Sequence, residues 1–215
     1  MPDFSIERAR SGIVAGIDEA GRGPWAGPVV AAAVVLDPAR MPAALVSAID
    51  DSKALSAARR LDLFGQLASH AAIGIGAASV AEIEDRDILQ ATFRAMARAL
   101  AALPVRPALA LVDGNRTPPL ACRAEAVIGG DSRSLSIAAA SIVAKVTRDR
   151  IMARLARRYP GFGWERNAGY GTAEHRSALD RHGITPHHRR TFAPIRKMLG
   201  YGAGANPTSG GCPSD

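Results

Sequence analysis

The order of apolar segments in this chain predicts an α/β layer fold with a helical, basic C-terminal part. Three observations carry that reading. Short runs rich in Val, Ile and Ala, each of strand length, are spread over the first 130 or so residues. Segments with apolar residues at helical spacing are interleaved with them, and beyond Ile137 only helical patterns and basic loops follow. Strands interleaved with helices bury their apolar faces as stacked layers. At 215 residues, 47% apolar and 22% charged, the chain suits one ordered domain, expected over 1–200, with a tail over 201–215.

The elements follow in order. Gly12–Ile17 reads as a buried strand and Val29–Leu36 as a second. Only a glycine-containing loop separates them, so the start is hairpin-like rather than a strand–crossover–strand unit. Ser56 is placed to cap a helix running to His70, with Leu61, Phe64 and Leu67 at helical spacing. Ala71–Val80 reads as a third strand. Ala81–Leu103 predicts one amphipathic helix, with Ile88, Phe93, Met96 and Leu100 near one face and Pro104 at its end. Ala108–Val112 and Ala124–Ile128 are short apolar strands, Ile137–Tyr159 is a long helix and Thr172–His182 another. From Tyr201 the chain reads GAGANPTSGGCPSD, which cannot bury a core and predicts disorder.

No apolar run is long enough to span a bilayer. The N-terminal MPDFSIERAR lacks the basic and apolar regions of a secretory leader, so a cytoplasmic location is expected. Cys122 and Cys212 make neither a disulfide framework nor a zinc pattern. The net charge of +7 is uneven: 13 Lys and Arg face 4 Asp and Glu between Lys145 and Gly200. Codon usage explains why 24 of the 27 basic residues are arginine, but not why they cluster. A basic segment on a globular protein predicts an anionic partner, most commonly nucleic acid.

Acids at strand ends point to the chemistry. Asp18-Glu19 follows the first strand, Asp113 the fourth and Asp131 the fifth. Acids after strands also serve as turn formers and caps. If these strands are neighbours, however, four carboxylates converge, and burying them without cations costs several kcal/mol each. A set of oxygens without His or Cys selects hard cations, Mg²⁺ or Mn²⁺. Two such ions about 4 Å apart activate a water and stabilise the leaving oxygen of a phosphodiester. Successive strand residues face opposite ways, so this reading calls for a break or bulge at Glu19, which Gly21 and Gly23 would allow. Gly21 to Gly27 is not a dinucleotide fingerprint, because no helix follows and Pro28 begins a strand.

At these residues the sequence resembles the type 2 ribonucleases H, specifically the bacterial ribonuclease HII family. The resemblance lies in GIDEAGRGPWAGPVV, DSKALS, ILQATF, VDGN, GGDSRSLSIAAASIVAKVTRDR, GYGTAEH and HHRRTFAP, in order over residues 12 to 198. The sister type, ribonuclease HIII, carries an extra N-terminal domain, which is expected to be absent here because the first acid already lies at position 18. The resemblance implies an RNase H-like fold, with a central mixed sheet flanked by helices. It also implies that Asp18, Glu19, Asp113 and Asp131 are the four metal-binding acids. The implied reaction is hydrolysis of the RNA strand of RNA–DNA hybrids and incision 5′ of single ribonucleotides in duplex DNA, leaving 3′-hydroxyl and 5′-phosphate ends. Gly21 and Gly23 would let backbone amides approach a sugar, whose 2′-hydroxyl distinguishes RNA from DNA. Arg22 would lie beside the scissile phosphate, and Tyr170 would pack on the deoxyribose of the junction. Arg133 stands where lysine is usual, Trp25 where leucine is common and Ala168 where many relatives have a phosphate-contacting lysine.

Other residues take plainer readings. Lys53 is a candidate phosphate contact or a solvated turn. Ser141, Lys145 and Arg148 form a row facing either the site or a satisfied polar pocket. Arg150, Arg154, Arg157 and Arg158 read as a solvated face, with a phosphate track second. Asp149 reads as the ion-pair partner of Lys145, and His187-His188 as a structural loop. Another metal-dependent nuclease of the same superfamily is the alternative function, though it would not need the glycine loop or Tyr170. A silent binding module would tolerate loss of an acid. A monomer is expected, and the tail is a conceivable replication-clamp contact.

Overall fold

The computed structural model describes residues 1–200; the expected tail and any clamp contact through it lie outside the described residues. In chain order the elements are α1 (Ser5–Arg8), β1 (Val14–Ala20), β2 (Val29–Leu36), α2 (Ala43–Ala48), α3 (Ala57–His70), β3 (Ala71–Ala78), α4 (Val80–Asp85) and α5 (Ile88–Ala101). There follow β4 (Leu109–Asp113), β5 (Arg123–Val127), a 3-10 turn at Gly130–Ser132, α6 (Leu135–Arg158), α7 (Trp164–Asn167), α8 (Ala173–His182) and α9 (Ala193–Met198).

The strands form one mixed sheet in the order β3-β2-β1-β4-β5. The short loop after β1 returns the chain antiparallel to it as β2, and β3 pairs antiparallel in turn. The helical segment between β3 and β4 allows β4 to lie parallel to β1; β5 is parallel to β4. Every β2 residue but one is buried, because helices cover both faces of the sheet. Ala32, Val34 and Leu36 pack with Ala138, Ala139 and Ile142 of α6. Ala31, Ala33 and Ile17 face the other way, onto Ala91, Ala95 and Met96 of α5. Gly16 sets how closely α6 approaches: a Cβ there would lie 2.2 Å from the backbone carbon of Ser136.

Side-chain caps fix several boundaries. Ser56 accepts from the Arg59 amide and Thr172 from the His175 amide, starting α3 and α8 where the sequence places them. The expected single helix over Ala81–Leu103 is instead two. Ser79 and Glu82 form a capping box at α4, and Asp87 accepts from the Gln90 amide to begin α5 afresh. On α3 it is Leu63 and Leu67 that are buried, whereas Leu61 is 50% exposed. No break occurs at Glu19: the ladder with β2 runs on through Glu19↔Ala31 and Ala20↔Val30, and the chain leaves strand geometry only at Gly21. Beyond the sheet, Ala26, Met152, Phe162, Trp164 and Leu179 form a separate apolar cluster that anchors the C-terminal helices. Among the described residues, no helix is long and apolar enough to cross a membrane.

Candidate metal centre

Strand alternation sorts the acids. On β1, Gly16 lies against α6 and Ile17 toward α5, so Asp18 leaves the strand on the α6 face and Glu19 on the opposite one. On β4, Leu109 and Leu111 pack with Ile137 of α6, which puts Asp113 on that same face. Parallel pairing of Ile17 with Val112 brings Asp18 and Asp113 side by side at the C-terminal ends of two adjacent strands. Asp131, in the 3-10 turn leading into α6, closes the group. One carboxylate oxygen from each of Asp18, Asp113 and Asp131 lies within 4.8 Å of the others. Glu19 stands outside that trio, accepting from Arg22 Nη1 at 3.3 Å.

The electrostatics are those of crowded carboxylates. Burial first, then the charges of Glu19 and Asp113, hold the Asp18 carboxyl well above the usual carboxylate range. Burial also raises Asp113 and Glu19, the latter against the lowering influence of Arg22. Protein donors relieve this only in part: the Glu19 amide donates to Asp18 at 2.7 Å and the Gly130 amide to Asp113 at 2.7 Å. Lys53 Nζ donates to Asp131 at 3.1 Å. Partial burial lowers the Lys53 ammonium, but the hydrogen bond and charge of Asp131 outweigh it and the net shift is upward. A trio of oxygen ligands, two buried and one half-buried, short of positive charge fits a hard divalent cation.

The loop after β1 is the second part of the site. Gly21 has φ +97°, and a Cβ on it would fall 1.9 Å from Arg148 Nε. A Cβ on Gly23 would meet nothing closer than Tyr170 Cε1 at 3.6 Å, an ordinary contact. Gly21 is therefore required by the fold, while Gly23 is not. Tyr170 is 50% exposed beside that loop. Ser141 does not face the site: its hydroxyl accepts from the Ser52 amide at 3.3 Å and so steadies the loop that carries Lys53. Lys145 pairs with Asp149 at 2.7 Å, and Arg150 lies over the Phe64 ring. Arg148 is buried in a satisfied polar pocket.

Sequence reasoning missed a buried histidine pair behind Tyr170. The Thr185 amide donates to His188 Nδ1 at 2.8 Å, which leaves the His188 proton on Nε2, directed at His175 Nε2 at 3.0 Å. Trp164 Nε1 donates to that same His175 nitrogen at 3.2 Å, so the His175 proton sits on Nδ1 and is given to the Tyr170 carbonyl at 2.9 Å. The histidines of GYGTAEH and HHRR were the available signal. Burial depresses both, His188 to about 3. A depressed histidine contributes stability that is complete above pH 6.5 and is lost as pH falls toward its folded value. From pH 6.5 to 5 the loss is about 2 kcal/mol for His188. His188→Gln is expected to be less stable than the wild type in urea unfolding at pH 7.5, with the gap narrowing at pH 5; a constant gap would contradict a neutral His188.

A mixed sheet flanked by helices, with a carboxylate trio at the ends of its parallel strands, defines an enzyme of RNase H-like fold with a hard-cation site. A family model for Ribonuclease HII matches residues 15–195. Ribonuclease HII of Rhodospirillum rubrum is 63% identical over 205 residues, covering 94% of each chain. The ribonuclease H2 of Pyrococcus horikoshii superposes with a TM-score of 0.74 at 29% identity, over 86% of this chain and 96% of that one. Bst-RNase HIII in complex with Mn²⁺ shares the fold, with a TM-score of 0.73 at 19% identity, over 87% of this chain and 69% of that one. The chain belongs to the ribonuclease HII family. It is a ribonuclease H acting on RNA–DNA hybrids with a divalent cation.

Proposed function

We propose that this enzyme also incises duplex DNA on the 5′ side of a single embedded ribonucleotide, leaving 3′-hydroxyl and 5′-phosphate ends. The observation that carries the reading is the adjacency of the aspartate trio to the Gly21–Gly23 loop and the exposed Tyr170. Asp18, Asp113 and Asp131, with Glu19 reaching from the other side of β1, are the residues that hold Mn²⁺ or Mg²⁺ in this reading. Two bound cations would supply an activated water and a stabilised leaving oxygen.

The chain's own residues bind and orient. Gly23 leaves the backbone open to a sugar, and the Tyr170 ring beside it offers a flat apolar surface to the neighbouring deoxyribose. Arg22, 50% exposed at its side chain, and Lys53, 79% exposed, are placed to meet phosphates flanking the carboxylates. The reading includes a monomer that works in the cytoplasm.

End-labelled duplex carrying one ribonucleotide, incubated with Mn²⁺, Mg²⁺ or EDTA, tests this. Cation-dependent incision on the 5′ side, leaving a ligatable 3′-hydroxyl, is the expected result. Cleavage of a continuous hybrid without that cut would remove the roles given to Tyr170 and Gly23. Cleavage of neither substrate would sink the reading.

A further inference from the structure

Two arginines lie wholly inside the protein behind the glycine loop: Arg148 of α6 is 1% exposed and Arg189 is 0% exposed. Among the described residues neither forms an ion pair with a carboxylate, and every hydrogen bond either guanidinium makes goes to a backbone carbonyl. Arg148 donates to Pro28 at 3.0 Å, Ala168 at 2.9 Å and Ala26 at 3.0 Å. Arg189 donates to Arg22 at 2.8 Å, Gly21 at 2.5 Å and Gly27 at 3.0 and 2.8 Å. Burial depresses both groups, Arg189 to about 9 with the charge of Arg148 adding to the effect. Two like charges are thus held close together at a cost, without the usual counter-charge.

The peptide plane says what that arrangement does. In a trans peptide the C=O and the following N–H point in opposite directions. The Gly21 and Arg22 carbonyls both point inward to Arg189, so the amides of Arg22 and Gly23 both point outward, on the exposed side of the loop. Neither amide donates to a backbone or side-chain acceptor among the described residues. Two successive outward amides form paired donors for an anionic or hydroxyl oxygen. A lysine in place of Arg189 would keep the charge but could not span two carbonyls with a planar fork.

We propose that Arg189, braced by Arg148, is a positioning residue that turns the Arg22 and Gly23 amides toward the sugar–phosphate of the ribonucleotide. The role rests on the function proposed above, and it places part of the selectivity for a 2′-hydroxyl on a residue that never touches the substrate. Arg189 is thereby separated from the surface arginines of α6, whose contribution would be to phosphate affinity alone.

Binding is measured for wild type and Arg189→Lys with Ca²⁺ as the cation, on two duplexes that differ only by one 2′-hydroxyl. The expected result is a wild type that prefers the ribonucleotide duplex and a variant whose preference falls at least fivefold, with its affinity for the all-DNA duplex retained. A folded variant with the wild-type preference would overturn the role. A wild type without any preference would instead remove the proposed reading of the ribonucleotide, and this role with it. Amide hydrogen exchange on the wild type needs no variant and covers the case in which Arg189→Lys does not fold. Arg22 and Gly23 are expected to exchange freely in the free protein and to be protected by the ribonucleotide duplex but not by the all-DNA duplex. Protection already present in the free protein would overturn the inward-carbonyl arrangement.

Discussion

Asp18→Asn is expected to lower cleavage at least a thousandfold or so while making the cation-free protein more heat-stable. The two effects have one cause. Asp18 is 6% exposed, and its carboxyl is raised by burial and by Glu19 and Asp113. A raised carboxyl contributes stability that is present below its ordinary pKa of about 4 and lost as pH rises through its folded value. The cation-free wild type therefore bears a cost of crowded, buried carboxylates that asparagine, nearly isosteric, relieves. Relieving that crowding is worth on the order of 1–2 kcal/mol, or a few degrees in melting temperature for a chain of this size. Divalent cation should reverse the order by stabilising the wild type alone. Thermal melting in EDTA and in Mn²⁺ checks this; a variant less stable than wild type in EDTA would show that Asp18 serves the fold rather than the cation.

Two glycine substitutions in the same loop should give opposite outcomes. Gly21→Ala drives a Cβ to within 1.9 Å of the buried Arg148 side chain at a φ of +97°. Arg148 cannot swing away, because each of its three guanidinium nitrogens donates to a different carbonyl. A loss of several kcal/mol in stability is expected, from overpacking and left-handed strain together. Gly23→Ala meets only Tyr170 Cε1 at 3.6 Å. It should melt within a degree or two of wild type yet lose about a hundredfold or more in ribonucleotide incision, since the methyl occupies the space kept for the sugar. Urea unfolding and initial-rate kinetics of the pair decide the matter. A stable, fully active Gly23→Ala would show that the loop does not approach the substrate closely.

What the sequence made legible follows from where the forces are local. β2 was readable at Val29–Leu36 because an uninterrupted apolar run has few other destinations, and the Ser56 cap because one hydroxyl decides a helix start. The division between α4 and α5 was not readable from periodicity: apolar spacing carries across Arg86, and only the Asp87 cap reveals the restart. α1 and α2 are too short for a periodic signal. The aspartates were visible as acids closing strands, but their separation from Glu19 depends on the β1 ladder continuing to Ala20. Arg148 was legible as one of a row facing the site or a polar pocket, but Arg189 was hidden for another reason. An arginine in a basic segment looks solvated, and only the three-dimensional fold shows carbonyls from residues about 160 positions away surrounding Arg189.

The most direct test of the carboxylate centre is calorimetric titration of Mn²⁺ into the cation-free protein, without nucleic acid. Wild type should bind, Asp18→Asn and Asp113→Asn at least tenfold more weakly, and Asp149→Asn, whose carboxylate is paired with Lys145, as tightly as wild type. Equal affinity in all four proteins would place the cation elsewhere and contradict the account of the site.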